Sequence, residues 1–173
     1  MLSINEYRID LAIIADGSQA KIARAYNTVT EETLAVKIYS LKDRASLLCF
    51  ENEACLLHQL RDIPNVIKAR SCFSHKQFGF LVMDLHKEDL LTVIMRNNGL
   101  GEYMALYYFK QICETVQRCH SRNVAHLDLK PENILINEEE HKITLCDFGN
   151  AFQFKNATEE VQIGRRGTLV YCS

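Results

Sequence analysis

The sequence predicts an α+β fold in which a strand-rich first part precedes a helical second part. Runs of β-branched and aromatic residues, several with period-two alternation, recur through residues 1–84. Apolar residues with a 3.6-residue period mark segments 43–60 and 102–120 instead. Because the pattern changes near residues 84–86, we predict two domains, 1–84 and 85–173.

The first domain is predicted to be a five-stranded antiparallel sheet with one helix. The helix covers about residues 43–60 and ends before Ile63-Pro64, since a residue that precedes proline avoids helical angles. On this helix Leu48, Cys49, Leu56 and Leu60 are predicted to share the buried side, with Glu53 close to it. The predicted strands are residues 7–14, 21–26, 34–39, 66–73 and 78–83.

The second domain begins with a short helix over 88–96 and a long helix over 102–120. A hairpin follows, with strands 134–136 and 142–145 around the acidic turn 137–140. An apolar stripe predicts which side of the long helix is core, and it consists of Ala105, Phe109, Ile112, Val116 and Cys119.

Composition and charge exclude several classes of function. The net charge is -2 and no basic stripe is present, which argues against nucleic-acid binding. No run approaches the roughly 20 apolar residues of a membrane span, and the N-terminus lacks the pattern of a signal peptide. The seven cysteines are odd in number and include no CxxC pair, which predicts reduced thiols in a cytoplasmic protein.

Four short motifs carry the chemistry. The strongest is the run His126-Leu127-Asp128-Leu129-Lys130-Pro131-Glu132-Asn133, followed fourteen residues later by Asp147-Phe148-Gly149. Upstream, Ala35-Val36-Lys37 sets a lysine among apolar residues, where a bare ammonium group is costly to bury and needs a partner. Glu53 is the favoured partner, and Glu51 is the alternative.

In this order and spacing, the motifs resemble the eukaryotic-type serine/threonine protein kinase family. The likeness runs from about Tyr7 to Ser173, and the run that begins at His126 is also similar to the calmodulin-dependent kinase group. The resemblance implies a protein-kinase-like two-lobe fold with a five-stranded N-lobe and an incomplete helical C-lobe. In the family Pro-Glu and several helices follow the counterpart of Ser173, so we expect a chain truncated before the activation segment ends.

The resemblance also implies transfer of the ATP γ-phosphate to a hydroxyl group of a protein substrate, with Mg²⁺ as the metal. Asp128 would orient the substrate hydroxyl and accept its proton, and Lys130 would steady the transferring phosphoryl group. Asn133 and Asp147 would hold the metal, and Thr168 would hydrogen-bond Asp128 and Lys130. The partners implied are ATP and a protein substrate, and the oligomeric state stays open.

For ATP binding, the resemblance implies that Lys37 pairs the inner phosphates and that Glu53 holds Lys37 in place. The glycine-rich pattern G-x-G-x-x-G-x-V aligns with residues 15–22, with alanine at its outer positions, Ala15 and Ala20. Only Gly17 remains of the three glycines, so we expect weaker or slower nucleotide handling.

The adenine-binding positions follow from the same resemblance. Ile22 and Ala35 would form the roof of the adenine site, and Leu135 its floor. Met83 would be the gatekeeper, and backbone groups of Asp84, Leu85 and His86 would hydrogen-bond the base.

An alternative function is a kinase-like fragment that binds ATP or a partner protein with little or no catalytic activity. The polar catalytic residues are all retained, which favours the enzyme.

Leu127 generates the first prediction. It stands where most members of the family have an arginine that receives a phosphorylated activation-loop residue. We expect turnover to be the same before and after treatment with a phosphatase, because the anchor for that phosphate is missing. A large drop in turnover after treatment would contradict this expectation.

Overall fold

The computed structural model describes residues 1–17, 19–155 and 168. The helices are α1 (Arg44–Gln59), α2 (Leu90–Arg96) and α3 (Glu102–Ser121), and Pro131–Asn133 form a 3₁₀ turn. The strands are β1 (Leu2–Ile4), β2 (Tyr7–Asp16), β3 (Ala20–Asn27), β4 (Thr33–Ser40), β5 (Ala69–His75), β6 (Phe78–Asp84), β7 (Glu88–Asp89), β8 (Val124–Ala125), β9 (Ile134–Asn137), β10 (Lys142–Leu145) and β11 (Phe152–Gln153).

These elements group into two compact units. Unit 1 consists of Met1–Cys55 and Lys68–Leu85. Unit 2 consists of Leu56–Ile67 and the described residues from His86 onward. The predicted limit between residues 84 and 85 stays a prediction.

Unit 1 is built on a six-stranded antiparallel sheet in the order β1-β2-β3-β4-β6-β5. The five predicted strands are all present, and β1 adds a sixth at the edge, where Leu2 pairs with Ile9 and Ile4 with Tyr7. Only Ile4 of the three β1 residues is buried, so this strand has too little apolar pattern to be recognised from sequence.

Alternation along β4 divides the side chains of the sheet between its two faces. Leu34 and Val36 lie on one face, within an apolar core whose buried members are Ile4, Tyr7, Ile9, Ala23, Ala25, Leu34, Val36, Phe80 and Val82. Ala35, Lys37 and Tyr39 therefore lie on the opposite face. The ammonium group of Lys37 and the hydroxyl group of Tyr39 are therefore on this face.

Strand β2 changes character halfway along its length. Ile9 is fully buried, whereas Leu11, Ile13 and Ile14 are 63%, 42% and 46% exposed. The pairing of β2 with β3 shifts register between Ile9 and Ile13 and again between Ile13 and Ala15. Such irregularities rotate the strand, and so the apolar run leaves the core after Ile9.

The buried side of α3 differs from the predicted stripe. Cys119 is buried as predicted, but Ala105 is exposed and Phe109 is 62% exposed, so the prediction for those two residues was wrong. Tyr108 and Thr115, which lie outside the predicted stripe, are buried instead. Hydrogen bonds of Gln111 account for this difference in the buried side of α3. Its side chain donates to the His141 carbonyl at 2.9 Å and accepts from Ile143 N at 3.2 Å. These bonds orient the helix towards the β9–β10 hairpin.

The predicted buried side of α1 needs a similar correction. Leu56 and Leu60 are 2% and 0% exposed, as predicted, but Leu48 is 55% exposed. Among the helices in the described part of the chain, none is long and apolar enough to cross a membrane.

Two strand pairs in unit 2 bring its two functional loops together. Loop 126–133 runs from β8 to β9, and loop 146–151 runs from β10 to β11. Strand β9 pairs with β10, and β8 pairs with β11, so each end of one loop is attached to an end of the other. Side chains that are distant in sequence therefore converge here.

The core of unit 1 generates the second prediction. Ile9→Ala should lower the free energy of unfolding by about 2–5 kcal/mol, because it leaves a cavity at a fully buried position. Ile13→Ala is the matched control, as it makes the same change on the same strand at a residue that is 42% exposed, and it should cost less than about 1 kcal/mol. Urea unfolding measures both, and equal losses would contradict the assignment of Ile9 to the core.

Candidate active site

Unit 1 holds a buried ion pair between Lys37 and Glu53. Lys37 Nζ lies 2.8 Å from Glu53 Oε2, and the two residues are 9% and 1% exposed. The alternative partner, Glu51, is exposed to solvent. Breaking a buried pair of this kind typically costs about 3–5 kcal/mol, since the remaining charge has lost its counterion.

Tyr39 is a third member of this cluster, and the sequence analysis missed it. Its hydroxyl group donates to the same Oε2 atom of Glu53, and its ring centroid lies 5.5 Å from Lys37 Nζ. Burial and the charge of Glu53 raise the pKa of Tyr39 well above its usual value, so the hydroxyl keeps its proton. The available signal was spacing, because Tyr39 follows Lys37 by two residues and so shares its face of β4.

In the segment aligned with the glycine-rich pattern, Ala15 lies in β2 and Ala20 begins β3. Gly17 N donates to the Ala20 carbonyl at 3.0 Å, and a Cβ atom on Gly17 would come within 3.2 Å of that oxygen. The retained glycine therefore occupies the tight point of the turn. In register, Ala15 pairs with Ile22 and Ile22 pairs with Lys37, so the three residues form one row across the sheet.

The residues predicted to contact adenine divide between the two units. In unit 1, Ala35 pairs with Met83 across β4 and β6, and both are buried. Asp84 ends β6 and accepts a hydrogen bond from Arg70 Nε through its side chain, and half-buried Leu85 follows it. Half-buried His86 and Leu135, the latter in β9, belong to unit 2.

Unit 2 brings together the four residues predicted to be catalytic, and their hydrogen bonds converge on the Asp128 carboxylate. Thr168 Oγ1 donates to Asp128 Oδ1 at 2.8 Å, and Lys130 Nζ lies 3.1 Å from Asp128 Oδ2. Lys130 Nζ also donates to Thr168 Oγ1 at 2.7 Å. Asn133 Nδ2 donates to the Asp128 carbonyl at 2.8 Å and to Oδ2 at 3.2 Å. Asp128 is 7% exposed. Its carboxylate is thus in contact with an ammonium, a hydroxyl and an amide group.

These donors set the ionisation of Asp128. Burial by itself would raise the pKa of the carboxyl group. Hydrogen bonds from Thr168, Lys130 and Asn133 lower it by more, so the pKa of the carboxyl lies below its usual range. Asp128 is therefore an anion at neutral pH, able to accept a hydrogen bond from a hydroxyl group.

His126 has a structural role between two loops. Its Nε2 donates to the Cys146 carbonyl at 2.8 Å, and its Nδ1 accepts from Asp128 N at 3.2 Å, which requires the neutral Nε2–H tautomer. Its ring packs against Phe148 in a T-shaped arrangement, at a centroid distance of 4.8 Å. The histidine therefore connects loop 126–133 to loop 146–151.

Two residues of these loops have left-handed backbone angles that non-glycine residues seldom adopt. The φ angle is 61° at both Leu127 and Asp147. Each costs about 1 kcal/mol or more and persists only where surrounding contacts enforce it. Beside Asp147, the Cys146 amide donates to the Asn133 carbonyl at 3.0 Å and so holds the two loops together.

Asn133 and Asp147 have the chemistry that a magnesium ion requires. Both hydrogen bonds of the Asn133 amide use Nδ2, which leaves Oδ1 as the atom that can ligate a cation. Asp147 supplies a carboxylate, whose Oδ1 also accepts from Gly149 N at 3.4 Å. Within the described residues, no group of three or more His, Cys, Asp or Glu forms a metal cage. Two oxygen-bearing side chains fit Mg²⁺, which usually completes its shell with water and substrate phosphates.

The lowered pKa of Asp128 generates the third prediction. A carboxyl whose pKa is lower in the folded state contributes stability above its unfolded pKa of about 3.9, and the contribution is lost as pH falls through the folded pKa. From pH 6 to 8, the urea concentration at the midpoint of unfolding should therefore be higher for wild type than for Asp128→Asn. The difference should begin to shrink as the pH falls below about 4, where the unfolded state takes up its proton, and should be smallest below the folded pKa, where the folded group is neutral as well.

The matched control for this prediction is Glu51→Gln, which neutralises an exposed carboxylate. Its urea midpoint should stay close to wild type at every pH. A difference between wild type and Asp128→Asn that did not change with pH would contradict the prediction.

Comparison with known proteins assigns the family. The family model described as the protein kinase domain matches residues 9–173. Calcium-dependent protein kinase 5 of Plasmodium falciparum (isolate 3D7) is 32% identical over 153 residues, which are 87% of this chain and 27% of that protein. Myosin light chain kinase family member 4 of Mus musculus is 33% identical over 145 residues, covering 83% and 37%. CBL-interacting serine/threonine-protein kinase 16 of Arabidopsis thaliana is 34% identical over 142 residues, covering 79% and 30%.

The chain thus spans between 27% and 37% of the length of these curated relatives. The family match extends over both compact units and includes the Lys37–Glu53 pair and the cluster around Asp128. On this basis, the chain belongs to the protein kinase domain family and is similar to its serine/threonine kinases.

Proposed function

We propose that this protein is a serine/threonine protein kinase that transfers the γ-phosphate of ATP to hydroxyl groups of proteins. The observation that carries the proposal is the set of donors around Asp128, which leaves an ionised carboxylate beside an ammonium group. Phosphoryl transfer asks for positioning and charge stabilisation more than for covalent catalysis, and this cluster supplies both.

Asp128 would orient the substrate hydroxyl and accept its proton. A general base must lie within hydrogen-bond distance of the proton it removes. Asp128 Oδ1 already accepts a hydrogen bond from the Thr168 hydroxyl at 2.8 Å, which is the contact that a serine or threonine of a substrate would need. Its low pKa keeps the carboxyl ionised over the physiological pH range.

Lys130 would act beside it on the phosphoryl group. Its ammonium lies between Asp128 and Thr168, with 18% of the side chain exposed. A cation held in this way can neutralise charge that develops on the transferring group. The contact with Asp128 also fixes the long lysine side chain before substrate binds.

Asn133 and Asp147 would hold Mg²⁺ through their side-chain oxygens. The ion, when bound, supplies charge neutralisation on the phosphates of ATP. Asn133 would have a second role. The hydrogen bonds from its Nδ2 to Asp128 hold the proposed base next to this metal-binding residue.

Lys37 of unit 1 would bind the inner phosphates, held in place by Glu53. Ala15 and Ala20 replace glycines of the family pattern beside it. We therefore propose that ATP binds more weakly than it would to a loop with three glycines.

We further propose a cytoplasmic location. The seven cysteines are odd in number, and the six in the described part of the chain are thiols. Disulfides are rare in the reducing cytosol, where thiols persist.

The fourth prediction concerns phosphate transfer itself. With labelled ATP, Mg²⁺ and a general protein substrate, Asp128→Asn should lower kcat by about 10²–10⁴-fold, because it removes the base. ATP binding, measured by calorimetry, should change little in this variant, since Asp128 would contact the acceptor hydroxyl. Removing the metal with EDTA should abolish transfer by wild type.

Lys37→Met tests the nucleotide side of the same proposal. It should weaken ATP binding, whereas Lys42→Met is the matched control at an exposed lysine and should leave binding unchanged. ATP binding without transfer would favour a kinase-like binding module instead. If ATP and Mg²⁺ neither bound nor raised the melting temperature, the kinase and the ATP-binding module would both be excluded, and only a partner-binding fragment would remain.

A further inference from the structure

Tyr39 has a buried hydroxyl group for which the sheet has no need. The residue is 1% exposed and lies in β4, where phenylalanine would fill nearly the same space without a polar atom. Its hydroxyl donates to Glu53 Oε2, the oxygen that also accepts from Lys37 Nζ at 2.8 Å. Two donors from one strand therefore share one carboxylate oxygen on α1.

The geometry follows from the periods of the two elements. Lys37 and Tyr39 are two residues apart on β4, so both side chains point from the same face of the sheet. On α1, Phe50 and Glu53 are three residues apart and lie on one side of the helix. The Phe50 ring packs against Tyr39 at a centroid distance of 5.5 Å and an interplanar angle of 51°.

Small residues flank Tyr39 and make room for this packing. Its cross-strand neighbours are Ala20 on β3 and Gly79 on β6. A Cβ atom on Gly79 would approach three atoms of the Phe50 ring at 3.0 Å. The glycine therefore lets Phe50 settle beside Tyr39, and the tyrosine ring is confined with its hydroxyl directed at Glu53.

The second donor changes what Lys37 can do. A carboxylate offers about four acceptor positions, and a buried one is stabilised by each donor that meets it. When Lys37 Nζ also binds a phosphate group, its ion pair with Glu53 becomes weaker. Burial keeps the proton on the Tyr39 hydroxyl by raising its pKa, so this group remains a donor to Glu53.

We propose that Tyr39 is a positioning residue for the nucleotide site: its hydroxyl fixes the Glu53 carboxylate, which in turn directs Lys37 to the phosphates of ATP. This inference rests on the proposed function, because it assigns Tyr39 a part in ATP binding. It adds a third member to the pair of Lys37 and Glu53.

The fifth prediction tests this role with Tyr39→Phe, which removes the hydroxyl and keeps the ring. The Kd and KM for ATP should rise about tenfold, the effect of losing roughly 1.4 kcal/mol. At saturating ATP, kcat should change less than about threefold, and the KM for the protein substrate should not change, because the groups around Asp128 are untouched.

The matched control is Tyr7→Phe. Tyr7 is a second buried tyrosine of the same sheet, 3% exposed, and its ring stacks on Phe73 in the core on the opposite face from Lys37. Its loss of a hydroxyl should alter the melting temperature but leave the Kd for ATP unchanged. If both variants weakened ATP binding equally, Tyr39 would act through general stability and the inference would be overturned.

A double-mutant cycle identifies the route of the effect. In a Glu53→Gln background, Tyr39→Phe should change the Kd for ATP less than about twofold, since the carboxylate that it holds is absent. The same tenfold effect in both backgrounds would overturn the inference, as would wild-type affinity in Tyr39→Phe alone. Either result would leave the proposed function standing. If wild type failed to bind ATP, the proposed function would fail first, and this inference with it.

Discussion

A carboxylate that is removed from water must be met by hydrogen-bond donors and a cation, and this chain meets that demand in both of its units. Glu53 in unit 1 and Asp128 in unit 2 belong to residues 1% and 7% exposed. Each lies beside a lysine ammonium group. Glu53 also accepts a hydrogen bond from the Tyr39 hydroxyl, and Asp128 accepts one from the Thr168 hydroxyl. The arrangement that makes burial tolerable is also the one that fixes these groups for chemistry.

The surrounding fold supplies the rigidity that such clusters require. In unit 2, the paired strands β8–β11 and β9–β10 hold two loops against each other, and His126 adds hydrogen bonds between them. The left-handed angles at Leu127 and Asp147 are maintained by these attachments. In unit 1, Phe50 occupies the space above Gly79 and confines Tyr39. The residues packed around each cluster thus fix its geometry. In unit 1, Gly79 lies where this packing is tightest.

Residues whose position depends on a single element were the most predictable. The strands of unit 1, the span of α1 and the choice of Glu53 over Glu51 follow from period and from the cost of an unpaired ammonium group. The buried side of α3 was harder to predict, because hydrogen bonds from polar Gln111 outweighed the apolar stripe that includes Phe109. Leu48 was misplaced for a related reason, since an apolar residue can remain exposed when no element packs over it.

The sequence by itself determined which elements form and which motifs carry the family likeness, because periodicity and motif spacing are local properties of the chain. The family resemblance already implied Lys37 as the partner of Glu53, and Thr168 as a partner of Asp128. Only the tertiary structure added the Tyr39 hydroxyl to Glu53 and the Asn133 amide to Asp128. Tyr39 and Glu53 are 14 positions apart in the sequence, and Thr168 and Asp128 are 40 positions apart. Such contacts depend on strand pairing and on the side of a helix that faces the sheet, and neither can be read from one segment alone.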